Sequence, residues 1–191
     1  GSFMGLGAIH IDGYGEHIYV SDFGPNRLIQ FQDRVGTDRA SMLGAEAATS
    51  DPDQILLYGW AVLIDDFDRN GLEDILVTNG HPKAAVESEE YAVQQDLLLL
   101  QTRGGHFVAQ GTEAGLSAPN TEDSRDPEHA YSSRGGVRFD IDHDGWMDIL
   151  TTGLTGAAKL HTEQQTPDNG PARCTLAPIN TVVPSMGHSI G

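Results

Sequence analysis

The sequence is poor in cysteine and in basic side chains, and it has no long apolar run. Its one cysteine, Cys174, excludes a disulfide within the chain. Only 11 Lys and Arg stand against 28 Asp and Glu, a formal net charge of −17, which disfavours nucleic acid and anionic membranes as partners. No segment approaches the roughly 18 apolar residues of a membrane span, and the N-terminus lacks the layout of a signal peptide. We therefore expect a segment that does not span a membrane and whose natural counterions are cations.

What the sequence does contain is an apolar fraction of 38%, enough for a core, and two copies of one acidic pattern. The first copy is DFDRNGLED at residues 66–74, and the second is DIDHDGWMD at residues 140–148. Each has an acidic or amide side chain at positions 1, 3 and 5, a glycine at position 6 and an aspartate at position 9. Like charges crowded twice in this way indicate a bound cation.

The spacing favours calcium. Oxygen ligands at positions 1, 3 and 5, followed by a glycine that permits a sharp turn, wrap a hard cation, and Mg²⁺ is disfavoured because it demands tighter octahedral geometry. An EF-hand would need a glutamate at position 12 and flanking helices. Here position 12 is Val77 or Thr151, and the closing carboxylate stands at position 9. The pattern therefore predicts a shorter calcium loop between two strands.

We predict two Ca²⁺ sites, with no catalytic residue and no organic cofactor. In each loop, positions 1, 3, 5 and 9 would supply side-chain oxygens and position 7 a backbone carbonyl. The predicted ligands of the first loop are Asp66, Asp68, Asn70, Leu72 and Asp74. Those of the second loop are Asp140, Asp142, Asp144, Trp146 and Asp148. Asp, Asn and Gly also favour turns for local reasons, but a nine-residue pattern repeated in one strand context favours a metal.

The two loops differ in charge at position 5. The second loop offers four carboxylates, whereas the first offers three because Asn70 is neutral. Ligand charge helps to set calcium affinity, so we expect the second site to bind more tightly.

Strand, acidic loop, strand is the repeating unit. The segments WAVLID and DILVTNG flank the first loop, and GGVRFDI and DILTTG flank the second. A weaker relative, GAIHIDGYGEHIYVSD, opens the chain and keeps only Asp12 of the acidic set. NRLIQFQD and two strands around Gly104 and Gly105 bring each unit to about four strands. Residues 36–54 and 117–130 are expected to be long surface loops, and residues 82–95 a short helix or a surface excursion.

The acidic loops resemble FG-GAP or VCBS repeats, the calcium-loop blades of integrin α-subunit β-propellers and of many secreted bacterial proteins. The segments GPNRL, ILVTNGHP, GGHFVAQGTEAGL and YSSRGGVRFDIDHDGWMDIL are similar to the FG-GAP region of the cartilage-acidic-protein and UnbV-like (ASPIC) group. The resemblance covers most of residues 4–155. It implies an all-β fold of propeller-type blades, extracellular or cell-surface placement, and calcium-dependent rigidity. The first unit departs from the pattern at His10 and Tyr14, which leaves two predicted sites.

We divide the chain into a degenerate first blade (1–56), a second blade (57–116), an acidic loop (117–134) and a third blade with C-terminal strands (135–191). A propeller ring needs four to eight four-stranded blades, so about three blades predict an incomplete ring or part of an assembly. Exposed blade edges favour a protein partner or self-association, including growth into a filament.

The function predicted from the sequence is a non-enzymatic, calcium-binding module with a structural, adhesive or self-assembling role. An extracellular setting suits it because millimolar calcium fills modest sites there. The alternative is a hydrolase-like enzyme with catalytic residues in loops or beyond Gly191, since GHSIG at 187–191 matches the nucleophile-elbow pattern. Trp60 and Trp146 are expected to pack between blades, and an exposed tryptophan would instead favour carbohydrate binding.

Overall fold

The protein is all-β. The computed structural model describes residues 3–22, 26–46, 57–80, 94, 96–110, 133–153, 158–163 and 176–179. The first four strands and one short helix are β1 (Phe3–Ile11), β2 (Gly15–Asp22), β3 (Arg27–Gln32), β4 (Val35–Asp38) and α1 (Ala40–Leu43). The next four are β5 (Gly59–Asp65), β6 (Asp74–Asn79), β7 (Leu97–Gln101) and β8 (Phe107–Gln110). The last four are β9 (Ser133–Phe139), β10 (Asp148–Gly153), β11 (Lys159–Glu163) and β12 (Leu176–Ile179).

These strands form three four-stranded antiparallel sheets in which neighbours in sequence are neighbours in space. The first sheet has the order β1-β2-β3-β4, the second β5-β6-β7-β8 and the third β9-β10-β11-β12. Each strand pairs with the strand next to it in sequence, which antiparallel pairing allows without a crossover. The prediction of an all-β chain built from four-stranded units is confirmed.

The sheets stack in chain order, and β5, the first strand of the second sheet, lies at both interfaces. Strand β5 packs on β1 and β2 on one side and on β9 on the other. Glycines permit the close approach: a Cβ built on Gly7 of β1 would lie 2.8 Å from Ile64 Cγ1 of β5. One built on Gly136 of β9 would lie 3.3 Å from Leu63 Cδ1. Successive side chains of β5 therefore point to different neighbouring sheets, as the pleat requires.

Two apolar clusters lie on the two faces of the second sheet. The cluster towards the first sheet contains Ile9, Ile11, Tyr19, Leu28, Ala40, Leu43, Ala45, Ile75, Val77, Leu99 and Phe107. The cluster towards the third sheet contains Phe67, Leu76, Leu98 and Ile149, with Leu63 and Leu100 against it. Strand β6 is buried at every position from Asp74 to Asn79 because it is central in a sheet covered on both faces.

Part of the stretch expected to be a surface loop at 36–54 is regular structure, so that prediction was wrong there. Strand β4 pairs with the outer edge of β3 and is exposed at every position. Asp38 Oδ1 accepts the backbone N–H of Ala40 at 3.0 Å, where α1 begins. The helix is four residues long and buries Ala40 and Leu43, a pattern too short to show a helical period.

The third sheet begins earlier than the sequence predicted. It begins at Ser133, inside the predicted acidic loop 117–134, because Ser133 already pairs with Gly153 of β10. All of the loop expected at 117–130, and all of the stretch 82–95 except Gln94, lie outside the described residues. Within the part of the chain that the structure describes, no helix is long and apolar enough to cross a membrane.

Candidate metal centres

The first acidic loop connects β5 to β6 and folds around its own carboxylates. Both oxygens of Asp66 accept backbone N–H groups, from Asn70 at 2.9 Å and from Gly71 at 2.9 Å. Asp68 Oδ1 also accepts from the Asn70 N–H, at 3.1 Å. Asp74 Oδ2 accepts from the N–H of Phe67 at 2.8 Å, which closes the loop on its last residue. The chain is thus wound so that positions 1, 3 and 9 face one another.

The second loop, between β9 and β10, repeats these bonds position by position. Asp140 accepts from the N–H groups of Asp144 at 3.1 Å and Gly145 at 3.0 Å. Asp142 accepts from Asp144 at 3.2 Å, and Asp148 accepts from the N–H of Ile141 at 2.9 Å. Two loops in different sheets therefore have one conformation, in keeping with their shared spacing.

Left-handed backbone at positions 4 and 6 makes the tight winding possible. Position 4 is Arg69 (φ 56°) in the first loop and His143 (φ 63°) in the second. Position 6 is Gly71 (φ 87°) and Gly145 (φ 86°). A positive φ costs glycine nothing because it has no Cβ, so the glycine that the sequence places at position 6 is the residue this conformation requires.

Each loop gathers three carboxylates into a group with room for one cation. Carboxylate oxygens of Asp66, Asp68 and Asp74 lie within 4.8 Å of one another, and so do those of Asp140, Asp142 and Asp148. Ca²⁺ holds oxygen ligands at about 2.3–2.6 Å, so two oxygens on one ion are separated by at most about 5 Å. The spacing and the all-oxygen chemistry therefore fit a calcium ion, and each carboxylate oxygen keeps a lone pair beyond its backbone bond.

Position 5 is placed differently from the triads. In the second loop, Asp144 is not part of the close carboxylate group, and its Oδ1 accepts the N–H of Trp146 at 2.8 Å. In the first loop, Asn70 Oδ1 accepts the N–H of Leu72 at 2.7 Å. Leu72 and Trp146, whose backbone carbonyls are the predicted ligands at position 7, thus lie two residues after position 5 and donate their own N–H groups to its side chain.

Burial makes it costly to ionise carboxylates of the first loop. Burial raises the pKa of Asp74 to about 7, and the charges of Asp68 and Asp66 act in the same direction, against hydrogen bonds from Gln101 and Phe67. Burial also raises the pKa of Asp68, and the charge of Asp66 adds to this. Like charges held close in a poorly solvated site oppose ionisation. A divalent cation among these groups would reverse that effect.

Gln101, the last residue of β7, was not predicted from the sequence and connects the first loop to the first sheet. Its backbone N–H donates to Asp74 Oδ1 at 2.7 Å. Its side-chain Nε2 donates to the carbonyls of Glu73 at 2.6 Å and His10 at 3.1 Å, and its Oε1 accepts the N–H of Asp12 at 2.7 Å. The only sequence signal is a polar residue at the end of the apolar run LLLLQ.

Asp12, the remnant of the acidic set in the first unit, has a different role. Its Oδ2 accepts the N–H of Gly104 at 2.8 Å, and it belongs to neither of the two carboxylate groups among the described residues. The connection after β1 is a tight turn in which the Tyr14 N–H donates to the Ile11 carbonyl at 2.9 Å. Asp12 therefore fastens the turn between β7 and β8 to the first sheet.

The tryptophans are both half-buried, each against an arginine of a neighbouring sheet. Arg134 of β9 lies over the Trp60 ring at 4.3 Å, and Trp60 Nε1 donates to the Gly80 carbonyl at 2.7 Å. Trp146 lies under Arg69, a residue of the first loop. This agrees with packing between units. The GHSIG segment at 187–191 and Cys174 lie outside the described residues.

Comparison with known proteins adds no relative. The sequence matches no protein-family model and no curated protein. The assignment of function therefore depends on the geometry of the two loops.

Proposed function

We propose that this chain is an extracellular calcium-binding module of the FG-GAP or VCBS type, with propeller-type blades and a structural, adhesive or self-assembling role rather than an enzymatic one. The observation that carries the proposal is the pair of loops. Two nine-residue segments in separate sheets adopt the same hydrogen bonding, the same left-handed positions and the same triad of carboxylates. In each triad the third and deepest carboxylate, Asp74 or Asp148, is buried at the start of a strand.

The chemistry of the triads supports calcium over other ions. They contain oxygen donors only, and backbone carbonyls and water would complete the six to eight ligands that Ca²⁺ takes. Thiolate and imidazole donors, which favour zinc or copper, do not belong to either group. Bound calcium would hold the turn of each hairpin rigid, which is a structural role.

The arrangement of sheets supports blades that continue into a further copy. Leu63 of β5 faces the third sheet, where Gly136 packs against it. Val137, which follows 74 residues later and is equivalent to Leu63, lies on the opposite face of β9 from Gly136 and is 49% exposed. It forms a cross-strand row with Leu150 and Leu160. In the second sheet, the equivalent face, which contains Leu63, is covered by the third sheet. The outer face of the third sheet would be covered in the same way by a second copy of the chain, which is its proposed partner.

The calcium proposal is tested by titration calorimetry of the wild-type chain and of Asp68→Asn and Asp142→Asn. We expect two bound ions in the wild type and one in each variant, and a chelator should lower the melting temperature. Calcium at a hundredfold excess over its Kd stabilises by roughly 2.7 kcal/mol per site. An unchanged melt in excess chelator, with no metal bound in calcium, would overturn the proposal.

Self-association is tested separately by sedimentation at increasing protein concentration. The expected result is a mass that rises with concentration in the wild type and not in Val137→Asp. A monomer at all concentrations would remove the self-assembling role and leave the calcium sites untouched.

A further inference from the structure

Arg69 connects the two acidic loops. It occupies position 4 of the first loop, and its Nη2 donates to the carbonyl of Gly145 in the second loop. Its guanidinium carbon also lies 3.1 Å from the centroid of the Trp146 ring. A guanidinium over an indole ring is a favourable cation–π arrangement. One side chain of the first loop therefore holds both the backbone and a side chain of the second.

The Gly145 backbone that Arg69 contacts lies between two N–H groups that bond carboxylates of the second loop. The Gly145 carbonyl and the Trp146 N–H belong to the same peptide unit, and that N–H donates to Asp144 Oδ1 at 2.8 Å. The Gly145 N–H donates to Asp140 Oδ2 at 3.0 Å. A guanidinium on the carbonyl polarises the peptide unit and strengthens its N–H as a donor. The position of Arg69 is thus transmitted to Asp144 through this peptide unit, and to Asp140, a member of the carboxylate triad, through the backbone of Gly145.

A second contact keeps the strands that lead into the loops together. Arg138, near the end of β9, forms an ion pair with Asp65, the last residue of β5. Between this pair and Arg69 lies a cleft of about 370 Å³, which is lined by Asp65, Asp66, Phe67, Arg69, Gly145 and Met147. Arg69 therefore connects the two loops directly, and the Arg138–Asp65 pair connects the strands that lead into them.

We propose that Arg69 is a positioning residue that couples the two loops, so that calcium in the first loop raises the calcium affinity of the second. The inference rests on the proposed calcium function. The backbone of Arg69 stands between Asp68 and Asn70, so an ion in the first loop fixes the point from which the guanidinium reaches Gly145 and Trp146. Linkage requires the effect to be reciprocal.

The test is a double-mutant cycle read by calorimetric calcium titration. Asp68→Asn removes calcium binding at the first loop, so the titration measures the calcium affinity of the second loop alone. We expect this substitution to weaken second-loop binding about fivefold or more, the lower range of coupling between linked sites. In an Arg69→Ala background the same substitution should leave second-loop affinity unchanged. Arg69→Lys, which keeps the charge but loses the planar stacking, should retain only part of the coupling and serves if the alanine variant does not fold.

His143→Ala is the matched control, since His143 has the same position and the same left-handed backbone in the second loop. It should preserve the coupling. Two outcomes would overturn the coupling and leave the calcium function standing. In the first, the wild type binds two ions but Asp68→Asn does not change the calcium affinity of the second loop. In the second, Asp68→Asn changes that affinity equally with and without Arg69. No calcium binding by the wild type would overturn the calcium function itself, and the coupling with it.

Discussion

The backbone N–H of Gln101 donates to Asp74 Oδ1 at 2.7 Å, so the last residue of β7 holds the last carboxylate of the first acidic loop. The Gln101 side chain continues outward to the first sheet, where it bonds to both His10 and Asp12. The loop is therefore built into two sheets. Its rigidity depends on a buried amide as well as on its own acidic residues.

Gln101→Ala should destabilise the fold by about 1–3 kcal/mol, because it leaves the part-buried carbonyl of Glu73 and N–H of Asp12 without their partner. Chemical denaturation measures the change. Gln32→Ala is the control, since Gln32 also ends a strand but is exposed, and it should change stability by less than about 0.5 kcal/mol. Equal losses in the two variants would show that the amide does not organise the loop.

Stability should fall as pH rises towards 7, because of Asp96. This residue is buried, and burial raises its pKa from 3.8 to about 7, against hydrogen bonds from Asn79 and Ser133 and the charge of Lys159. The folded state then binds a proton that the unfolded state has lost. The stability from Asp96 is complete below about pH 4 and is lost as pH rises through 7, up to roughly 4 kcal/mol at 1.36 kcal/mol per pKa unit.

Asp96→Asn should make this pH dependence shallower, because an amide has no proton to lose in this range and only the contribution of Asp74, whose pKa burial also raises to about 7, would remain. Denaturation midpoints between pH 5 and 8, with calcium held constant, measure the difference between variant and wild type. Glu46→Gln removes one exposed charge and should retain the wild-type slope. A slope in Asp96→Asn that equals the wild-type slope would assign the titration to another group.

Position 5 should separate the two loops. Asn70 Nδ2 donates to Asp68 Oδ2 at 3.1 Å and to the Gln101 carbonyl at 2.9 Å, so Asn70→Asp removes two donors and adds a charge. We expect the free energy of unfolding in chelator to fall by about 1–3 kcal/mol, which lowers the melting temperature. Adding calcium should then raise the melting temperature more than it does in the wild type. Asp144→Asn is the reverse exchange and keeps an acceptor for the Trp146 N–H. Scanning calorimetry with and without calcium compares them, and an equal calcium response would remove position 5 from the ligand set.

Gly5→Ala should destabilise the contact between the first two sheets more than Gly136→Ala destabilises the next one. A Cβ on Gly5 would overlap the backbone carbonyl of Trp60, whereas one on Gly136 meets only side-chain atoms of Leu63 and Thr78 at 3.3 Å. Overpacking costs about 1–3 kcal/mol where the neighbour cannot move. Denaturant midpoints rank the two variants, and the opposite order would contradict the stacking described here.

Much of the fold could be predicted because its strands are local. The alternation in WAVLID and the glycine turn at 104–105 predicted β5 and the β7–β8 hairpin, which the structure contains. Strand β4 and helix α1 were missed, since an exposed edge strand has no apolar alternation and a four-residue helix has no period. Their formation depends on the edge of β3 and on the core beneath Leu43.

The sequence by itself determined the acidic spacing, the glycine at position 6 and the carboxylate at position 9 of each loop, because these are properties of nine consecutive residues. Only the tertiary structure placed Arg69 on Gly145, 76 residues away, and Gln101 between two sheets. It also kept Asp144 out of the triad. These relationships depend on how the sheets stack, since a side chain meets a distant loop only after packing has fixed the separation and orientation of both strands.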